Sequence, residues 1–227
     1  MLEKNNVKNS YRKSQIFRFI ACLTMISNAV FFIIIKGYFS YLKESIKYLT
    51  FWGHNFEMMF FMLLIRKTHE LENMKTKDFE LDMQKSFMAH LQSTVLGMQF
   101  LITFFYWIVL FNKNDERSKL QWYQDIYMHS IPLIIMIIEM FLNTMKIRMK
   151  HLKLTIMLIT WYGFVNIIIT FITGTPIYPL LDYQDVKSII FLVGALMTSI
   201  FGVIFFKNVQ NLELKFVNYH ENKLRND

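Results

Sequence analysis

Six stretches of this chain are each long and apolar enough to cross a lipid bilayer as a helix. They fall at 16–35, 48–65, 88–111, 126–145, 154–174 and 188–206. Each is near the roughly 20 residues that a membrane-spanning helix requires. None shows the period-two alternation of a strand. A backbone in hydrocarbon must satisfy its own hydrogen bonds, which leaves helices or a closed barrel. Unbroken apolar runs such as Val30 to Ile35 and Leu133 to Ile138 exclude the barrel. The expected fold is therefore all-α: a polytopic membrane protein, a six-transmembrane-helix bundle forming one domain over residues 1–227. The longest connection, 66–87, interleaves Glu70, Glu72, Asp78, Glu80 and Asp82 with Lys75, Lys77 and Lys85. It reads as a solvated hairpin.

Charge tells the same story. Only 19% of residues are charged, against about 25% in soluble domains. Counted over alternate connections, 17 lysines and arginines fall on one side of the six segments and 7 on the other, with Arg18 inside the first. Cationic loops stay cytoplasmic, so both termini are expected on the cytoplasmic side, with the first span acting as an uncleaved signal anchor. The net charge of +8 is then mostly a topology signal. Its dispersal among short loops makes nucleic acid a poor partner. The lone cysteine, Cys22, excludes an internal disulfide and a cysteine zinc cluster. The membrane of residence is expected to be the endoplasmic reticulum or plasma membrane, with the mitochondrial inner membrane as the alternative.

Polar side chains inside such spans are costly and point to function, although many merely bond to a neighbouring helix. Here they are Thr50, His54, Asn55, Glu57, His90, Gln92, Gln99, His129, Glu139, Asn143 and Asn166. Thr50 lies two residues past the start of the second span, and His129 three past the start of the fourth. Parallel spans would put both near one membrane surface, where an imidazole can take the proton of an attacking hydroxyl. Thr50, His54 and Glu57 share one helical face at i, i+4 and i+7. Glu139 lies ten residues, about 15 Å, beyond His129. A carboxylate at that depth must be protonated, paired or bonded to Asn143.

Three segments carry a family resemblance. Lys47-Tyr48-Leu49-Thr50-Phe51 is one. Met128-His129, with Ile138-Glu139-Met140 ten residues on from the histidine, is the second. Gly174 with Ile177-Tyr178-Pro179-Leu180-Leu181 is the third. Together they resemble the androgen-induced gene and androgen-dependent TFPI-regulating proteins, an AIG-like family of transmembrane threonine hydrolases. The resemblance covers the chain from about Leu42 to Phe206. It implies cleavage of fatty acid esters of hydroxy fatty acids, with Thr50 as nucleophile and His129 as the other essential residue. This chain departs from the family in placing Pro132 three residues after His129, Asp125-Ile126 where the family has Asn-His, and Gly53 where relatives carry a polar residue.

The leading expectation is an integral-membrane lipid-ester hydrolase. Thr50 and His129 would be catalytic, and His54, Glu139 and Tyr178 would support them. The substrate carboxylate would meet Lys43, Lys47, Lys113 or Lys119. The reaction requires neither cofactor nor metal, and the partners are lipid substrate and bilayer lipids. The alternative is a non-catalytic accessory subunit of a larger membrane complex derived from the same family. Weaker readings are a haem held by His54 and His129, and a transporter, for which the sequence shows neither repeats nor paired broken helices.

Overall fold

The third apolar segment becomes the centre of the bundle. The computed structural model describes residues 2–37, 45, 47–70, 87–111, 116–143, 145–178 and 180–226. Residues 71–86, which hold most of the expected hairpin, lie outside the described residues, as do Lys43, Lys113 and Pro179. In chain order the helices are α1 (Leu2–Lys36), α2 (Leu49–Glu70), α3 (Phe87–Phe105), α4 (Lys119–His129), α5 (Ile131–Leu142), α6 (Leu152–Thr173) and α7 (Val186–Asn226). A π-helical turn, Tyr106–Leu110, extends α3, and a 3-10 turn, Met149–His151, leads into α6. No strand occurs among the described residues.

Every residue of α3 from Met88 to Gln99 is buried except His90, which is half-buried. A helix enclosed on all sides must be apolar or self-satisfied. Accordingly the Ser93 hydroxyl donates to the Ala89 carbonyl, and Thr155 of α6 donates to Thr94. Around α3 stand α2, α5, α6 and α7. Lipid offers little hydrophobic drive for helices to associate, so close packing of small residues matters. Gly97 supplies it: a Cβ there would come within 2.8 Å of Val203 Cγ2 and 3.2 Å of the Ser199 carbonyl on α7. On the outside, large apolar side chains face outward, with Phe171 and Ile172 77% and 79% exposed.

Among the described residues, five stretches are long and apolar enough to cross a membrane: Ser14–Ile35, Phe87–Leu110, Lys119–Leu142, Met149–Thr173 and Val186–Glu213. The chain is therefore built as a multi-pass membrane protein. The sixth expected segment, 48–65, does form a helix, the 22-residue α2. It is not among the five, because Thr50, His54, Asn55 and Glu57 dilute its apolar character.

The segment expected at 126–145 differs in two ways. It begins earlier, at Lys119, because Ser118 and Gln121 close a capping box: Ser118 Oγ accepts from the Gln121 N–H, and Gln121 Oε1 from the Ser118 N–H. Reciprocal capping starts a helix in polar sequence that hydropathy does not flag. The segment is also broken at Ser130, two residues before Pro132.

Three helices are tied by a buried ion pair. Arg18 of α1 and Glu139 of α5 are 2% and 0% exposed. Arg18 Nε lies 3.0 and 3.1 Å from the two carboxylate oxygens of Glu139, and Nη2 lies 2.8 Å from Oε1. Its Nη1 donates to Thr68 of α2. Asn143 Nδ2 completes the set on Glu139 Oε1. The carboxylate is thus both paired and bonded to Asn143. Removing one partner of such a pair strands the other charge, which costs about 3–5 kcal/mol, whereas removing both is often nearly neutral. Arg18→Met is expected to lower stability in detergent by about that amount, and Arg18→Met with Glu139→Met to recover most of it. Thermal unfolding of the purified variants checks this. A double variant as unstable as the single would show that the pair is not the tie.

Candidate active site in the bundle cavity

At the end of the bundle away from the ion pair lies a cavity of about 1020 Å³. It is at the upper limit of pockets that enclose a small ligand. Its walls are largely aliphatic and aromatic, with Leu101, Ile102 and Phe105 from α3 and Ile159 from α6. Thr50 and His129 both line it. Both line it although their helices do not start level: Thr50 is the second residue of α2, while His129 is the last of α4.

Thr50 stands in the first turn of α2, where backbone N–H groups lack helical partners. The Leu49 N–H is taken by the Tyr178 hydroxyl at 3.1 Å. Tyr178, also in the cavity wall, lies 3.4 Å from Tyr162 Oη. Tyr162 in turn donates to the Lys47 carbonyl at 2.8 Å. Burial pushes the Tyr178 phenol up from its ordinary pKa, so it stays a neutral hydroxyl. Since it accepts from Leu49, its own proton is free to turn to Tyr162 or to the cavity. No hydrogen bond to the Thr50 hydroxyl is formed among the described residues.

His129 is held by stacking. Its ring lies 3.6 Å from that of Tyr106, with 12° between the planes. Tyr106 opens the π-helical turn, an irregularity often found at functional positions. His129 Nδ1 is buried without a hydrogen-bond partner. Among the described residues no carboxylate orients the imidazole in the manner of a catalytic triad; the aromatic face does so instead.

The break in α4–α5 explains His54. Proline has no N–H, so Pro132 leaves the Met128 carbonyl, four residues back, without its helical donor. His54 Nε2 donates to that carbonyl at 3.2 Å, and the ring stacks on Tyr127. His54 therefore acts on the residue next to His129 and faces Met128, which leaves it poorly aimed for a haem shared with His129. Glu57, one turn on and fully buried, accepts from Gln99 at 2.7 Å. Glu139 is not brought to the cavity; it belongs to the Arg18 pair. Gly53 packs against α3, where an added Cβ would sit 2.5 Å from Ile102 Cδ1. A polar side chain there needs Ile102 to move.

Of the lysines expected near a substrate carboxylate, Lys47 lines the cavity. Asp125, also in the wall, is paired with Arg117 at 3.0 Å. Tyr106 and Tyr162 were not singled out by the sequence. The hints for them are weak: an aromatic at a span end, and a tyrosine four residues before Asn166.

No protein-family model, curated protein or solved structure matches this chain.

The roles of His54 and Thr50 separate by stability. His54→Phe leaves the Met128 carbonyl unpaired and is expected to cost about 1–3 kcal/mol. Thr50→Ala breaks no hydrogen bond among the described residues and is expected to stay within about 0.5 kcal/mol of the parent. Thermal unfolding in one detergent compares them. Equal losses would mean that Thr50 is structural.

Proposed function

We propose that the protein is an integral-membrane lipid-ester hydrolase of the AIG-like type, cleaving fatty acid esters of hydroxy fatty acids. The observation that carries this reading is that Thr50 and His129 line one largely apolar cavity able to take an acyl chain. Thr50 Oγ attacks the ester carbonyl as His129 accepts its proton. The tetrahedral adduct collapses to acyl-Thr50, and His129 returns the proton to the leaving hydroxyl. Water, activated by the same imidazole, then releases the fatty acid. Tyr178 is the neighbouring hydroxyl able to donate to the oxyanion, and Lys47 the cation placed for a substrate carboxylate. His54 positions Met128-His129 through the Met128 carbonyl.

The proposed topology has α2 as a sixth span and both termini on the cytoplasmic side, in the endoplasmic reticulum or plasma membrane. Tags at Asn6 and Asn226 are expected on one side and a tag at Asn114 on the other. Opposite placement of the two termini in a protease-protection assay would overturn it.

The decisive experiment measures hydrolysis of a branched fatty-acid ester by well-folded protein. Thr50→Ala abolishes the acyl-enzyme route, and Thr50→Ser retains part of it. His129→Ala is expected to cost about 10²–10⁴-fold. The double variant should be scarcely worse than either single, because residues acting as a unit are not additive. Parental turnover by Thr50→Ala rejects the mechanism. Absence of hydrolysis by every form favours a non-catalytic accessory subunit of a larger membrane complex.

A further inference from the structure

At the opposite end of α3 and α6 a smaller groove, about 370 Å³, is lined by Phe87, His90, Lys150, Lys153, Leu154 and Met157. His90 precedes Leu101 of the cavity wall by eleven residues, or about 16 Å along the helix. The groove is thus separate from the proposed active site. We propose that it binds the phosphate headgroup of an anionic phospholipid, with the acyl chains lying along the outer face of α6.

Four features converge on an anion with an apolar tail. Lys150 and Lys153 flank the groove, and no carboxylate lines it among the described residues. It sits at the start of the helical run that the Met149–His151 turn and α6 form together, where the helix dipole favours negative charge. Phe87 and Met157 are 58% and 59% exposed and continue the groove as an apolar surface.

The fourth feature is an orphan donor. His151 is fully buried. Its Nδ1 accepts from the Arg148 N–H at 3.3 Å and lies 3.2 Å from Ser93 Oγ. The neutral ring therefore carries its proton on Nε2, and that atom is buried with no hydrogen-bond partner. Its ring lies 4.4 Å from the His90 ring, which forms part of the groove wall. The unmatched Nε2 lies behind the His90 wall of a doubly cationic groove, and a phosphate bound there would draw His90 and His151 into its acceptor shell. Basic pockets between membrane helices commonly hold anionic headgroups.

The test titrates full-length protein in neutral detergent with phosphatidic acid, phosphatidylcholine and inorganic phosphate, and reads bound copies by native mass spectrometry. Phosphatidic acid is expected to bind saturably, at one copy, about tenfold or more tighter than phosphatidylcholine. Lys150→Gln with Lys153→Gln should weaken it about tenfold or more, while Lys146→Gln, an exposed lysine outside the groove, changes it less than about twofold. His151→Phe should weaken it in the same direction. If that variant fails to fold, the exposed lysine pair decides. Equal loss with Lys146→Gln would reduce the effect to diffuse surface charge and overturn the site. Inorganic phosphate binding as tightly as the lipid would overturn the lipid assignment in favour of a free-anion site.

Discussion

A proline in a membrane helix strands a carbonyl, which a group from outside that helical ladder must then satisfy. The cavity end of this bundle is arranged around that fact. Pro132 breaks the fourth apolar segment at Ser130 and exposes the Met128 carbonyl. His54 crosses from α2 to satisfy it. The same break ends α4 at His129, so that the imidazole stands at a helix terminus instead of inside a continuous span. The π-helical turn of α3 then brings Tyr106 flat against it. Removing the proline would restore one hydrogen bond and dissolve the reason for the others.

The two ends of the bundle use polarity differently. Near Arg18 and Glu139 the polar groups are buried and bonded to one another, a cross-tie among α1, α2 and α5. Around Thr50 and His129 they are few and incompletely matched, and they border open volume. Saturated networks rigidify, while unmatched groups beside a cavity are available to a ligand. Saturated polarity and open volume are thereby segregated along the same helices.

Much of this was legible in the sequence. The apolar segments and the polar residues within them marked out the helices, and Thr50, His129 and Tyr178 do share one cavity wall. What escaped did so for physical reasons. The start of α4 depends on the Ser118–Gln121 capping box, in polar sequence that a hydropathy reading discards. The partner of Glu139 lies 121 residues away, and nothing local announces it. Tyr106 acquires its place from a π-helical register that no periodicity reading anticipates. The sequence places His54 on a face shared with Thr50, as a support of the Thr50–His129 pair. Its bond to Met128 emerges only once Pro132 is seen as a missing donor.

Gly53 carries one more consequence. The space a side chain would need there is already filled by the tip of Ile102. The two positions therefore share a single fixed volume across the α2–α3 seam. In chains descended from the same ancestor, a larger residue at one should be accompanied by a smaller residue at the other.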